Sequence, residues 1–223
     1  MQAGRRAETV VLALALWLSA LPLASALPDV HSVAQAIDDH YNRLQSLQAE
    51  FNEIYQGMGV QRDESGTLWL KKPGKMRWEY RSPENKLFVA DGRYAWFYLP
   101  HEKQVRKSSL RKLEDVRSPL AFLLGKTKLE KELQGLSLAP DMTPMAAGDL
   151  VLRGVPKALT DRVSEIVFEV TPDHQIARIV IREVDGSATE YRFRGQTEDV
   201  AIGDGRFVFL PPAGTETVEG IGP

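Results

Sequence analysis

The sequence predicts a mainly β domain of the α+β class. It is a large curved antiparallel sheet of about ten or eleven strands, rolled toward a barrel, with one long N-terminal helix and two or three short ones. Three observations carry this. Apolar and charged side chains alternate over many short stretches, and a strand's side chains repeat every two residues. Turn residues fall between those stretches at tight spacing. One early segment instead repeats its apolar residues at steps of three and four, the period of a helix face.

Residues 1–26 have the layout of a secretory signal peptide. Arg5 and Arg6 precede an apolar run at 10–18, and Ala24-Ser25-Ala26 offers small residues for cleavage before Leu27. Ser19 and Pro22 interrupt the run, which is short for a membrane span. Cleavage leaves 27–223 as a single domain. The chain has no cysteine, which removes disulfides and any lipid-attachment thiol at the cleavage site. The mature protein is therefore expected to be soluble and exported. The full chain's formal charge of −2, which becomes −3 once Arg5, Arg6 and Glu8 leave with the leader, is too balanced for a nucleic-acid partner.

Asp29 is a candidate N-cap. After it, Val30, Val33, Ile37, Tyr41, Leu44, Leu47 and Phe51 trace one helical stripe, whose other faces are polar. Such a stripe fits a helix packed on a sheet, and equally a lid over one. Near residues 47–56 the period turns toward two, opening a first strand. The segment 66–105 is a meander of four strands. Within 75–80, Met76, Trp78 and Tyr80 share one side and Lys75, Arg77 and Glu79 the other. Pro73-Gly74 and Asp91-Gly92 supply reversals. Ser118-Pro119 reads as a helix start, followed by an apolar turn at 120–124 closed by Gly125, and residues 128–133 read as another short helix. Further strands are expected at 150–154, 163–170, 176–183, 189–194 and 206–210, with turns at Asp173-His174 and Asp185-Gly186.

Enzymatic chemistry finds no footing. His31, His40, His101 and His174 lack the spacing of a zinc site, and no nucleophile elbow or phosphate-binding glycine loop is present. No cofactor is implied. The cations Lys71, Lys72, Lys75 and Arg77 fit a solvated outer strand face better than a docking patch for an acidic partner. Trp69, Trp78, Tyr80, Trp96 and Tyr98 suit a barrel core. Their number also suits a cavity that the covering helix leaves incompletely filled.

In order and spacing, Leu68-Trp69-Leu70-Lys71-Lys72-Pro73-Gly74, Arg77-Trp78-Glu79-Tyr80, and Asp91-Gly92 with Trp96-Phe97-Tyr98, Pro100 and Gln104-Val105 resemble the periplasmic lipoprotein carrier proteins, the LolA family. Residues 47–51, 118–125 and 207–214 extend the resemblance over nearly all of the mature chain. It implies an incomplete antiparallel barrel whose helices form a lid over an apolar cavity. It also implies a monomer in the periplasm that takes acylated lipoproteins from an inner-membrane transporter to an outer-membrane receptor. Leu70, Met76, Trp78, Ile37 and Leu44 are the candidate cavity residues. Lys72 stands where several carriers have an arginine that latches the lid, and here would bond to carbonyls around residues 119–125. Lysine lacks the planar five-donor fork of arginine. Met76 replaces a phenylalanine of some relatives with a flexible thioether chain. Two other readings remain: a stationary lipid-binding or envelope stress-sensing module on a similar half-barrel, and a secreted hydrolase, which lacks a nucleophile motif.

Overall fold

The computed structural model describes residues 28–110, 123 and 128–220. The expected signal peptide, and nearly all of the short helix around residues 118–125, lie outside the described residues.

Helix α1 spans Val30–Arg43. Asp29 caps it, its carboxylate accepting from the Ser32 amide at 3.0 Å. The strands that follow are β1 (Ser46–Gly57), β2 (Val60–Lys71), β3 (Lys75–Ser82), β4 (Lys86–Asp91), β5 (Tyr94–Leu99) and β6 (Gln104–Ser109). Helix α2 (Leu129–Glu132) leads into β7 (Leu133–Leu138), β8 (Leu150–Pro156), β9 (Val163–Val170), β10 (Ile176–Glu183) and β11 (Ala188–Glu198). A 3₁₀ turn at Asp204–Phe207 precedes the short β12 (Glu216–Glu219).

These twelve strands form one open sheet in the order β12-β6-β5-β4-β3-β2-β1-β11-β10-β9-β8-β7, so its edges β12 and β7 do not meet. The mainly β, unclosed architecture is the predicted one. All pairings are antiparallel except β12 beside β6, which is parallel.

The sheet is deeply curved. Strands β3 and β11 stand three places apart, about 14 Å across a flat sheet. Yet the Trp78 ring of β3 lies 5.7 Å from Tyr191 and 6.2 Å from Phe193 of β11, centroid to centroid. Only a concave surface brings those rings together. Its floor is one continuous apolar cluster that includes Leu47, Phe51, Leu68, Leu70, Met76, Trp78, Ile166, Phe168, Ile176, Ile179 and Phe193. Helix α1 lies on it through Val33, Ala34, Ile37 and Tyr41.

Several boundaries differ from the sequence reading. The helix stops at Arg43, with Leu44 as its C-cap, and Leu47 and Phe51 belong to β1. Leu133 opens a strand rather than ending a helix. Among the described residues, 206–210 pair with no strand, because the chain there crosses the convex face before β12 joins the edge.

The crossing segment explains the convex aromatics. Ile202 and Phe207 cover Trp69, and Phe209 lies 5.9 Å from Trp96 and 5.6 Å from Tyr98. Lys71 and Lys75 reach Asp204 at 2.6 and 3.0 Å, while Arg77 donates to the Arg206 carbonyl at 3.2 Å. Those three cations thus hold a strap of the protein's own chain.

Candidate functional site: the concave face

The register fixes which side chains share the concave face. Successive rows across β1, β2, β3 and β4 are Leu47, Leu70, Met76 and Ala90, then Ala49, Leu68, Trp78 and Phe88. A third row holds Phe51, Gly66, Tyr80 and Lys86. Gly66 is required there: a Cβ would sit 2.0 Å from the Glu79 carbonyl oxygen and 2.9 Å from the Phe51 ring. Its absence lets Phe51 press edge-on against both Trp78 and Tyr80, at 4.7 and 4.9 Å.

The five predicted cavity residues come together. Leu70, Met76 and Trp78 lie on the floor, and Ile37 and Leu44 cover it from α1 and its C-cap; all are buried in the same cluster. The aromatics that the sequence grouped as one set are divided. Trp78 and Tyr80 face the concavity, whereas Trp69, Trp96 and Tyr98 face the strap. Around the floor, Phe88, Leu110, Leu136, Leu138 and Leu150 pack against the cluster while only partly buried.

Lys72 reaches the end of α1, while its expected acceptors around residues 119–125 lie almost wholly outside the described residues. Its Nζ donates to the carbonyls of Tyr41 at 2.6 Å and Asn42 at 2.9 Å, in the last turn of α1. There it satisfies carbonyls that a helix end leaves without partners and opposes the negative end of the dipole. Burial lowers its pKa, with Asp199 acting the other way. Three further bonds pin α1. The buried Tyr41 hydroxyl accepts from the Ile176 amide at 2.8 Å, His40 Nε2 meets Glu198 Oε1 at 2.9 Å, and Asp38 accepts from the Leu129 amide at 3.1 Å.

Sequence reasoning missed a polar group at the far end of the same face. Glu53 and Glu64 stand directly opposite each other on β1 and β2, and Tyr191 of β11 flanks Glu53. Tyr80 Oη donates to Glu53 Oε2 at 2.6 Å, and Lys86 Nζ reaches Glu64 Oε2 at 2.5 Å. Burial raises the Glu53 carboxyl, against the opposing pull of the Tyr80 hydrogen bond. The signal was available: Glu53 has the same strand parity as Leu47 and Phe51.

The concave apolar face, the open sheet and the helix laid over it find a counterpart among known proteins. The family described as "Outer membrane lipoprotein carrier protein LolA" matches residues 42–210. The chain belongs to the LolA family. Among its relatives, an outer-membrane lipoprotein carrier protein of Chromobacterium violaceum is 28% identical over 205 residues, covering 91% of this chain and 95% of its own. One of the same description from Pectobacterium carotovorum is 26% identical over 209 residues, covering 89% and 95%. Among solved structures, an uncharacterized conserved protein of Thermus thermophilus shares the fold at a TM-score of 0.51 and 12% identity, covering 85% of this chain and 98% of that one. LolA proteins are carriers, and the chain is not an enzyme. Among the described residues no helix is long and apolar enough to cross a membrane, and no group of side chains could hold a metal ion.

Proposed function

We propose that this LolA-family chain is a periplasmic carrier that holds the acyl chains of lipoproteins against the concave face. On this reading it is exported by its leader, works as a monomer, receives cargo from an inner-membrane transporter and gives it up to an outer-membrane receptor. The observation that carries the reading is the apolar floor of an unclosed sheet, covered by helix α1, which is pinned at a few points. Leu70, Met76 and Trp78 are the proposed floor of the cavity, Ile37 and Leu44 its cover, and Lys72 the latch.

The physics suits transport rather than storage. Each methylene removed from water contributes about 0.8 kcal/mol, so several acyl chains taken up freely would be held too tightly to release. Here the same floor is already covered by α1, and cargo must displace the helix. Only the open fraction binds, which lowers the apparent affinity and makes hand-over possible.

The direct test is to co-express the mature chain with an acylated lipoprotein, purify it and weigh what travels with it. Lipoprotein or acyl lipid should co-purify, and a fluorescent acyl probe should bind at about −8 kcal/mol, a micromolar constant. A chain that carries no lipid and ignores the probe is not a carrier.

A further inference from the structure

The concave face is graded along its strands. Beneath α1 its rows are wholly apolar, the middle rows are aromatic, and the far rows bring in Tyr80, Lys86, Glu53, Glu64 and Tyr191. Two carboxylates placed directly opposite each other oppose sheet pairing. Their charge is met locally, Glu64 by Lys86 and Glu53 by the Tyr80 hydroxyl. Tyr191 stands directly opposite Glu53 on β11. Packing alone has no use for such a group on a surface that is otherwise core.

Trp78 sits where the two halves meet. It is 2% exposed and enclosed by the rings of Phe51, Tyr191 and Phe193. Its indole Nε1–H has no hydrogen-bond partner among the described residues. An indole nitrogen only donates, so what it lacks is an acceptor.

We propose that Trp78 Nε1 binds the acyl carbonyl of the cargo, an ester or amide oxygen, and thereby sets the direction in which cargo lies. This rests on the carrier reading. The acyl tails run from Trp78 toward Leu70, Met76 and Ile37 beneath α1. The polar linkage points toward Tyr80, Glu53 and Tyr191. The reverse orientation places methylenes against the two carboxylates and leaves the carbonyl among the side chains of Leu47, Leu70 and Met76, which carry no donor. Burying a carbonyl without a partner is costly, and a hydrogen bond made in apolar surroundings is strengthened.

The test compares two synthetic probes, a diacylglyceryl-cysteine peptide and its dialkyl ether analogue, which has the same tails and no ester carbonyls. The wild-type chain should prefer the ester about tenfold, and in Trp78→Phe that preference should fall to near unity. Reading a ratio within one variant cancels any general loss of packing. As a check free of mutation, the ester should move one indole N–H proton resonance downfield, and the ether should leave it in place. Equal binding of the two probes by the wild type, or an unchanged preference in Trp78→Phe, overturns the assignment while the carrier reading stands. Failure of both probes to bind overturns the two together.

Discussion

Replacing Lys72 with methionine should free the last turn of α1 from the sheet while leaving the sheet folded. The ammonium bonds to two carbonyls of the last helical turn, Tyr41 O at 2.6 Å and Asn42 O at 2.9 Å. A hydrogen bond to a charged donor contributes roughly 1.5–3 kcal/mol when sheltered, and a cation at a helix C-terminus about 0.3–1 more. The Asn42 contact is exposed, and burial already lowers the Lys72 pKa, so the low end applies. The sum is about 2 kcal/mol, or roughly thirty-fold in an opening equilibrium. Hydrogen exchange followed by mass spectrometry reads it directly. Amides of the last turn of α1, up to Arg43, should exchange about thirty-fold faster, with much smaller changes in Val163–Val170 and Ile176–Glu183. On the proposed carrier reading, in which only the open form takes cargo, acyl-probe affinity should rise and hand-over to a receptor should slow. Lys72→Arg should keep the helix protected. If the helix and the two strands accelerate equally, α1 is no separate element; if nothing changes, Lys72 is no latch. Either result refutes the reasoning.

Met76→Asp sets a charge at a site 7% exposed between Leu70 and Ala90, and should cost several kcal/mol and abolish probe binding; a variant that matches wild type in urea midpoint and probe titration removes Met76 from the floor. Glu53→Gln should flatten a pH dependence. The native Glu53 pKa is raised above 4.5, so from that value up to the raised one the folded state holds more protons and stability falls with rising pH. Urea midpoints of the variant should accordingly gain on wild type as pH rises through that window, and parallel curves would contradict this. Gly66→Ala should cost about 2 kcal/mol or more in thermal unfolding, since its new methyl carbon meets the Glu79 carbonyl oxygen at 2.0 Å.

What the sequence made legible was local. A period of two allows only two sides, so the alternation over 75–80 was enough to put Met76, Trp78 and Tyr80 on a common face. It could not say that the opposite face is also covered. The strap over Trp69, Trp96 and Tyr98 comes from residues 199–214, far along the chain. The helical stripe ran too long for a simple reason: Leu47 and Phe51 are four residues apart, a spacing that satisfies both periods. The bonds from Lys72 to the end of α1 were not legible, because these partners lie thirty and thirty-one residues upstream and no pattern encodes them. Strand β12 escaped because a short parallel edge strand has no hairpin turn to announce it.

The asymmetry between sheet and helix bears on how the cavity would open. Lifting α1 exposes the floor, but acyl methylenes can replace the helix methylenes at nearly equal hydrophobic energy. The apolar contribution then largely cancels, and the polar pins set the bias. They are not equal. His31 with Glu130, at the start of α1, is a solvent-exposed pair of the kind that contributes little. Asp38 with the Leu129 amide is part-buried. The Tyr41 hydroxyl and the Ile176 amide are fully buried, and parting them strands a main-chain donor in the core at a cost of roughly 1–3 kcal/mol. Lys72 and the His40–Glu198 contact reinforce that same end. The helix is therefore built to lift from Val30 and pivot near Tyr41. The exchange map of the wild-type chain should show this as protection rising from the first turn of α1 to the last. Lifting from Val30 leaves the two Lys72 bonds intact and only release of the last turn has to break them, so loss of Lys72 should act chiefly at that end of the helix.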